Sequence, residues 1–401
     1  DEFFVTGMKK IEGVFPVYVA EKEVYLEIPG EYIGREIEVR GQIDRGFDLL
    51  NRPVTGLGVV RIMSPDKATI CFQKPFYTER ILDEKSVYQQ SFSLSNIQPA
   101  GDSYPVVAYS KEQGAIIRIT EYLVNGNDWF SYNHTFIRSL VPELSELTKI
   151  HPFEEGVSFT VRRYHGVEAE RYMFSSSAII LPEGSIPLEV TCVVRLLPQK
   201  KDQIRLADHR IPYQTLTFKD YSQDPYCMVE DSLILRWDMS KPLIFYIDTL
   251  FPKEYFQAVK EGILVWNTAF RKAGIRDALQ VKYADSKIIP AEQRAFVSYD
   301  LMMPGIKSDF TCHPRTGEIL SCRLNIGHGF LKGKLDDYLL SCGASDSRIL
   351  ADRYSKEVEK ELLQNEITEE IGYLLGLRRS LSKSSCGKTL KVGDDDCRTI
   401  Y

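Results

Sequence analysis

The hydropathy pattern of this 401-residue chain changes near residue 240, and that change limits the folds open to it. Before it, short runs rich in β-branched and aromatic residues recur, punctuated by Gly and Pro. The runs 17–19, 24–28, 36–40, 59–63, 68–72, 115–120, 157–161 and 188–197 read as strands, and Phe153-Glu154-Glu155-Gly156 reads as a turn. Strands this frequent predict antiparallel sheets packed as a sandwich or an open barrel. After residue 240, the apolar run 242–247 predicts a strand buried on both faces. Pro252 opens a helix in which Phe256, Val259, Ile263, Trp266 and Phe270 fall at steps of three and four, and Gly274 ends it. A strand at 279–282, a strand pair around Arg315 and a long helix at 355–375 follow. The expected fold class is α+β. A small β-rich domain spans 1–55, a larger antiparallel β domain 56–240, and a mixed sheet with two long helices 241–401.

Charge narrows the function classes. Lys and Arg number 50 against 56 Asp and Glu, a net charge of −6, and no basic block stands out. Such a chain gains little from phosphate neutralisation, so nucleic acid is not an expected partner. No run of apolar residues is long enough to span a bilayer as a helix. Eight cysteines, with Cys312, Cys322, Cys342, Cys386 and Cys397 towards the end, suggest disulfides and an oxidising compartment. Cys312 and Cys322 flank a turn signal at 314–317, so a hairpin there brings the thiols face to face across the strands. Two reduced, half-buried thiols are the competing reading. Cys386 and Cys397, around a polar loop, are the second candidate pair.

Within the last predicted helix, Val358, Leu362, Ile367, Ile371, Leu374 and Leu375 form the apolar stripe. The segment Glu369-Glu370-Ile371-Gly372-Tyr373-Leu374-Leu375-Gly376-Leu377-Arg378-Arg379 resembles the HExxHxxGxxH helix of metzincin-type proteases. In that motif two histidines on one helical face bind zinc, the Glu between them polarises a water, and the Gly ends the helix. On that frame Glu370 stands at the catalytic Glu and Gly376 at the helix-ending Gly. The three ligand positions hold Glu369, Tyr373 and Arg379, and none is His.

The flanking sequence extends the likeness. The stretch 242–281, with Trp266-Asn267-Thr268-Ala269-Phe270, resembles a family of large zinc-dependent metalloproteases typical of Bacteroidota. His313-Pro314-Arg315-Thr316-Gly317-Glu318-Ile319 is similar to that family's hairpin, and the segments 24–29, 151–158 and 205–210 to its N-terminal domains of unknown function. The resemblance implies a metzincin-like upper subdomain over 241–401. It also implies export to the periplasm or outer-membrane surface, with a lipid anchor as one means of attachment and an outer-membrane protein complex as partner. The departures are as informative: Ser380 replaces the Asn that follows the third His, and the chain ends before the Met-turn and lower subdomain.

Ligand chemistry weighs against zinc. A carboxylate or a phenolate can ligate, but Arg379 cannot and carries a permanent positive charge. The expected occupant of the vacated site is an Arg–Glu pair. His134, His151, His165, His209, His313 and His328 are scattered, with no pair at i, i+4. Glu369 and Glu370 point roughly 100° apart on a helix and are poorly placed to flank one scissile bond. No GxSxG elbow occurs, and Asp394-Asp395-Asp396 lacks the spacing of a calcium loop. The expectation is a catalytically inactive protease-like protein, without cofactor or metal, that acts as a binding or scaffold module. A peptide segment in the former substrate cleft, held by edge-strand pairing, is the expected ligand. A hydrolase with a rebuilt, non-zinc site is the alternative. A third reading is a glycan-binding surface at Trp129-Phe130 beside Asn125-Gly126-Asn127-Asp128.

Overall fold

Alternating runs of β-branched and aromatic residues need a sheet with one buried face, and the N-terminal half builds one. The computed structural model describes residues 8–46, 54–83, 85–124, 129, 140–167, 171–174, 177–180, 184–199, 204–208, 210–224, 226–285, 287–301, 303 and 305–378. These divide into two compact units, Asp1–Asp202 with Tyr221–Cys227, and Gln203–Asp220 with Met228–Tyr401.

In the first unit an 11-stranded antiparallel sheet has a spatial order unlike its chain order. It runs Lys9–Ile11, Val17–Ala20, Glu23–Ile28, Ala115–Arg118, Asp102–Tyr109, Thr69–Gln73, Val54–Asp66, Glu36–Arg45, Gly184–Leu196, Gly156–Val167, Glu146–Phe153. The eight runs expected as strands before residue 240 all overlap strands of this sheet, and Glu154-Glu155 forms the tight link between its last two strands. One core takes side chains from both ends of the order, Val17 and Leu26 with Val157 and Phe159, so the sheet coils around a single apolar interior. The structure gathers residues on both sides of the expected bound at 55 into one compact unit. Val39 lies opposite Val194 on one side and Gly58 on the other, so the strand from the supposed small domain sits mid-sheet.

Trp129 takes the core position that is the commoner fate of such an aromatic. It is fully buried, stacks on Phe72 at 5.7 Å, and its indole N–H donates to the Tyr104 hydroxyl at 2.5 Å. It belongs to the core, not to a glycan-binding surface. Phe130 and Asn125 to Asp128 lie outside the described residues.

The second unit starts earlier than the expected boundary at 240, because the hairpin Thr215–Asp220 with Val229–Ile234 belongs to it. Its centre is a five-stranded mixed sheet of β1 (Leu243–Ile247), β2 (Leu279–Tyr283), β3 (Ala295–Asp300), β4 (Ile306–Cys312) and β5 (Ile319–Gly327). The order is β2-β1-β3-β5-β4, parallel except for β4, which runs antiparallel at the edge. Expected to be buried on both faces, β1 instead alternates buried and half-buried positions. The strand buried at every position is β5, which lies between two neighbours.

Five α-helices among the described residues accompany the sheet: α1 (Phe256–Leu264), α2 (Asn267–Lys272), α3 (Phe330–Cys342), α4 (Ser347–Ala351) and α5 (Lys356–Leu374). The single helix expected over 252–274 is thus two, because the hydrogen-bond ladder tightens where Thr268 N–H bonds Val265 O at 3.0 Å. The break serves two side chains. Trp266 Nε1 donates to Thr368 O of α5 at 2.9 Å. Asn267 exchanges a pair of bonds with the backbone of Leu279, 2.9 and 2.8 Å long, pinning the start of β2. No helix among the described residues is long and apolar enough to cross a membrane.

Candidate functional site

The long helix forms where the apolar stripe predicts it, and α5 buries Val358, Leu363, Ile367, Ile371 and Leu374. Its C-terminus is built by Gly376. Leu377 N–H bonds Gly372 O at 3.1 Å and Gly376 N–H bonds Tyr373 O at 3.0 Å, the paired closure of a Schellman end. Gly376 has φ +98°, and a Cβ there would sit 2.3 Å from Leu235 O, so both conformation and space require glycine.

Beyond Gly376 the chain turns onto the segment Pro212 to Gln214. Gln214 N–H donates to Gly376 O and Arg378 N–H to Pro212 O, each at 2.8 Å. The Gln214 side-chain amide also donates to the carbonyls of Tyr373, 2.6 Å, and Leu377, 3.1 Å. Tyr373 O thus accepts a second hydrogen bond beside that from Gly376 N–H, and the turn after the helix is tied to the segment Pro212 to Gln214. Trp237 Nε1 donates to Leu374 O at 2.8 Å.

The helix lays its motif residues against the edge strand. Glu370 is 1 % exposed, and Ser308 Oγ on β4 donates to its carboxylate at 2.6 Å. Phe310, two residues along the same strand, meets Tyr373 with ring centroids 5.8 Å apart. Glu369 is half-buried, one position round the helix from Glu370, as the helical period requires. The structure thus brings Glu370 and Tyr373 onto β4, while Arg379, Cys386 and Cys397 lie outside the described residues.

A carboxylate, a phenol and a guanidinium make a poor zinc donor set, and Glu370 accepts a hydrogen bond from Ser308. Among the described residues, no three His, Cys, Asp or Glu side chains gather where a metal ion could be held.

The hairpin around Arg315 forms as predicted. His313 N–H bonds Glu318 O at 2.7 Å, Gly317 N–H bonds His313 O at 2.9 Å, and Gly317 takes φ +73°. No disulfide joins Cys312 and Cys322, which stand as free cysteines, the competing reading. Register is the reason. A bulge between Thr311 and Cys312 sets Cys312 opposite Ile319, while Cys322 lies opposite Phe310. Burial pushes the Cys312 thiol up to about 11, which keeps it protonated and unreactive at neutral pH.

Alternation along β4 and β5 decides which main-chain groups are committed. Gly327 N–H bonds Gly305 O at 2.8 Å, so Lys307, Asp309 and Thr311 also turn their main chain towards β5. Ile306, Ser308 and Phe310 turn theirs to the other side, where no strand among the described residues pairs with β4. Sequence reasoning missed Ser308, Phe310 and Gln214. Ser308 and Phe310 share a face by strand period, a signal available once β4 was placed. Gln214 has no local signal, because its partners are far along the chain.

Two family models match the chain, both described only as domains of unknown function. DUF5118 covers residues 1–43 and DUF5117 covers residues 56–242. No curated protein and no solved structure matches it.

Proposed function

We propose that this chain is a protease-like protein without zinc-dependent activity, whose second unit binds an extended peptide segment along β4. The observation that carries the reading is the open edge of β4 beside α5. Ile306, Ser308 and Phe310 present main-chain donors and acceptors there, and strand addition to such an edge needs no metal. The engagement of Glu370 by Ser308 supports it further, since a general base must be able to reach a water. The partner we propose is a protein of an outer-membrane complex at the cell surface. Export, lipid attachment and that partner rest on the family resemblance alone.

Metal analysis of protein purified without chelator should find substoichiometric zinc, and unfolded casein should stay intact. Retention of casein peptides on the immobilised chain should fall with Ile306→Pro, which removes an outward N–H from an edge position where proline is tolerated. Stoichiometric zinc with cleavage abolished by Glu370→Gln would establish a hydrolase instead. Peptide retention indifferent to Ile306→Pro would remove β4 as the binding edge.

A further inference from the structure

The open edge of β4 carries two charges besides its outward main chain. Lys307 and Asp309 sit two residues apart, so the strand period puts both on the face away from α5. Lys307 Nζ and Asp309 Oδ2 stand 3.4 Å apart, with side chains 34 % and 40 % exposed. On the β5 side Asp309 lies opposite Arg323, a buried guanidinium that donates to the main-chain oxygens of Cys322, Pro290 and Ala291. Lys307 and Asp309 are thus the charges that β4 offers to an incoming strand. As a pair they are neutral, so they select the order of charges on a partner and not its net charge.

An antiparallel partner must set its own outward residues against Ile306, Ser308 and Phe310, which restricts its register to steps of two. For a second copy of β4, two-fold symmetry narrows the choice further. An axis at Lys307 sets Lys307 against its counterpart, and an axis at Asp309 does the same with two carboxylates. Like charges directly opposed disfavour both. An axis at Ile306 or Phe310 slides half of each strand past the end of the other.

An axis at Ser308 meets every demand. Ser308 then pairs with its counterpart, Ile306 with Phe310, and Lys307 with Asp309 on both sides of the axis. All three outward residues bond, forming about six main-chain hydrogen bonds. The charged pairs fall at the non-hydrogen-bonded positions, where opposed side chains are closest, and the four charges alternate in sign. A lone lysine on an edge strand discourages pairing. With Asp309 beside it, the edge becomes selective for its own sequence.

We propose that two copies of this chain associate antiparallel through β4, with the two-fold axis at Ser308. The inference rests on the reading of β4 as an open pairing edge and names a further partner for it, the chain itself. Each copy covers the edge of the other, so self-association and peptide binding exclude one another. One strand pair is a small interface, and the dimer is correspondingly weak and concentration-dependent.

Sedimentation equilibrium of the full chain at rising concentration should show the mass climbing towards that of two chains. Asp309→Lys should weaken the dimer at least about tenfold, because two attractive pairs become repulsive. Lys307→Asp should do the same. An equimolar mixture of the two variants should recover the dimer, as should a single chain carrying both substitutions, and this recovery separates charge order from misfolding. A chain monomeric at every concentration, a dimer indifferent to Asp309→Lys, or variants that fail to pair when mixed would overturn the inference. Casein peptides on immobilised Asp309→Lys report on the peptide site separately, since that variant keeps the main-chain edge and should retain more peptide than wild type. Retention there beside a monomeric wild type would sink the dimer alone. A wild-type dimer with charge-swap recovery, but no retention by Asp309→Lys, would sink the peptide site alone.

Discussion

At the scale of single residues, Gly376 carries the most structure per atom. Its positive φ closes α5, and its missing side chain lets Leu235 O approach. Gly376→Ala should lose roughly 2 kcal/mol or more, as left-handed strain and a backbone clash combine. Urea denaturation at neutral pH would measure it, and a variant within about 0.5 kcal/mol of wild type would show that the helix end relaxes freely. The need for glycine here was legible from the motif; the clash was not, because Leu235 lies far away in sequence.

Titration also belongs to this scale. Burial, with a hydrogen bond to Glu359, pushes Tyr255 up to about 12. Burial and Asp346 do the same to Tyr338, at about 12, and burial alone raises Cys312 to about 11. In each case the fold prefers the neutral form, so the unfolded chain releases its proton first as pH rises. Their stabilisation is complete below the ordinary value of 9.0 for Cys and 10.0 for Tyr, and is lost as pH climbs through the folded values. Urea midpoints should therefore fall between about pH 9 and about pH 12, and Tyr255→Phe should flatten the upper part of that slope. A level midpoint across the window would contradict these shifts.

At the scale of elements, α1 and α5 approach unusually closely. A Cβ on Gly262 would stand 2.8 Å from Gln364 O and 2.9 Å from Ile367, and one on Gly372 would stand 2.6 Å from the Trp266 ring. Gly262→Ala should cost about 1–3 kcal/mol by overpacking, with the loss seen in thermal melts and in altered Trp266 fluorescence. A neutral outcome would mean that the helices separate without penalty.

The stripes of α1 and α5 were legible because each keeps one apolar face at helical period. The helix α3 was not, since only Phe330 and Leu335 of its 13 residues are buried. Strand register was equally hidden. One bulged residue after Thr311 moved Cys312 out of line with Cys322, and no residue in the hairpin announces that bulge.

At the scale of the whole molecule, pattern identified the fold class and bounds close to those of the two matching family models, while the compact units follow strand partnership instead. The short strands before residue 36 look like a small domain because turns separate them evenly. Partnership decides otherwise. Glu23–Ile28 takes its second neighbour from Ala115–Arg118, and Glu36–Arg45 takes both of its neighbours from Val54–Asp66 and Gly184–Leu196. Ile37 and Val39 are fully buried, in a core that also draws side chains from beyond residue 55, Val157, Phe159 and Val194 among them. A fragment of residues 1–55 therefore holds a short meander and an orphan strand, with too little apolar surface to offset chain entropy. It should show a random-coil circular dichroism spectrum and no cooperative melt. Mixed with residues 56–401, it should gain strand signal as the sheet is completed. A folded, cooperatively melting 1–55 fragment would mean that the mid-sheet position of Glu36–Arg45 is dispensable, and would restore the small-domain boundary that the sequence suggests.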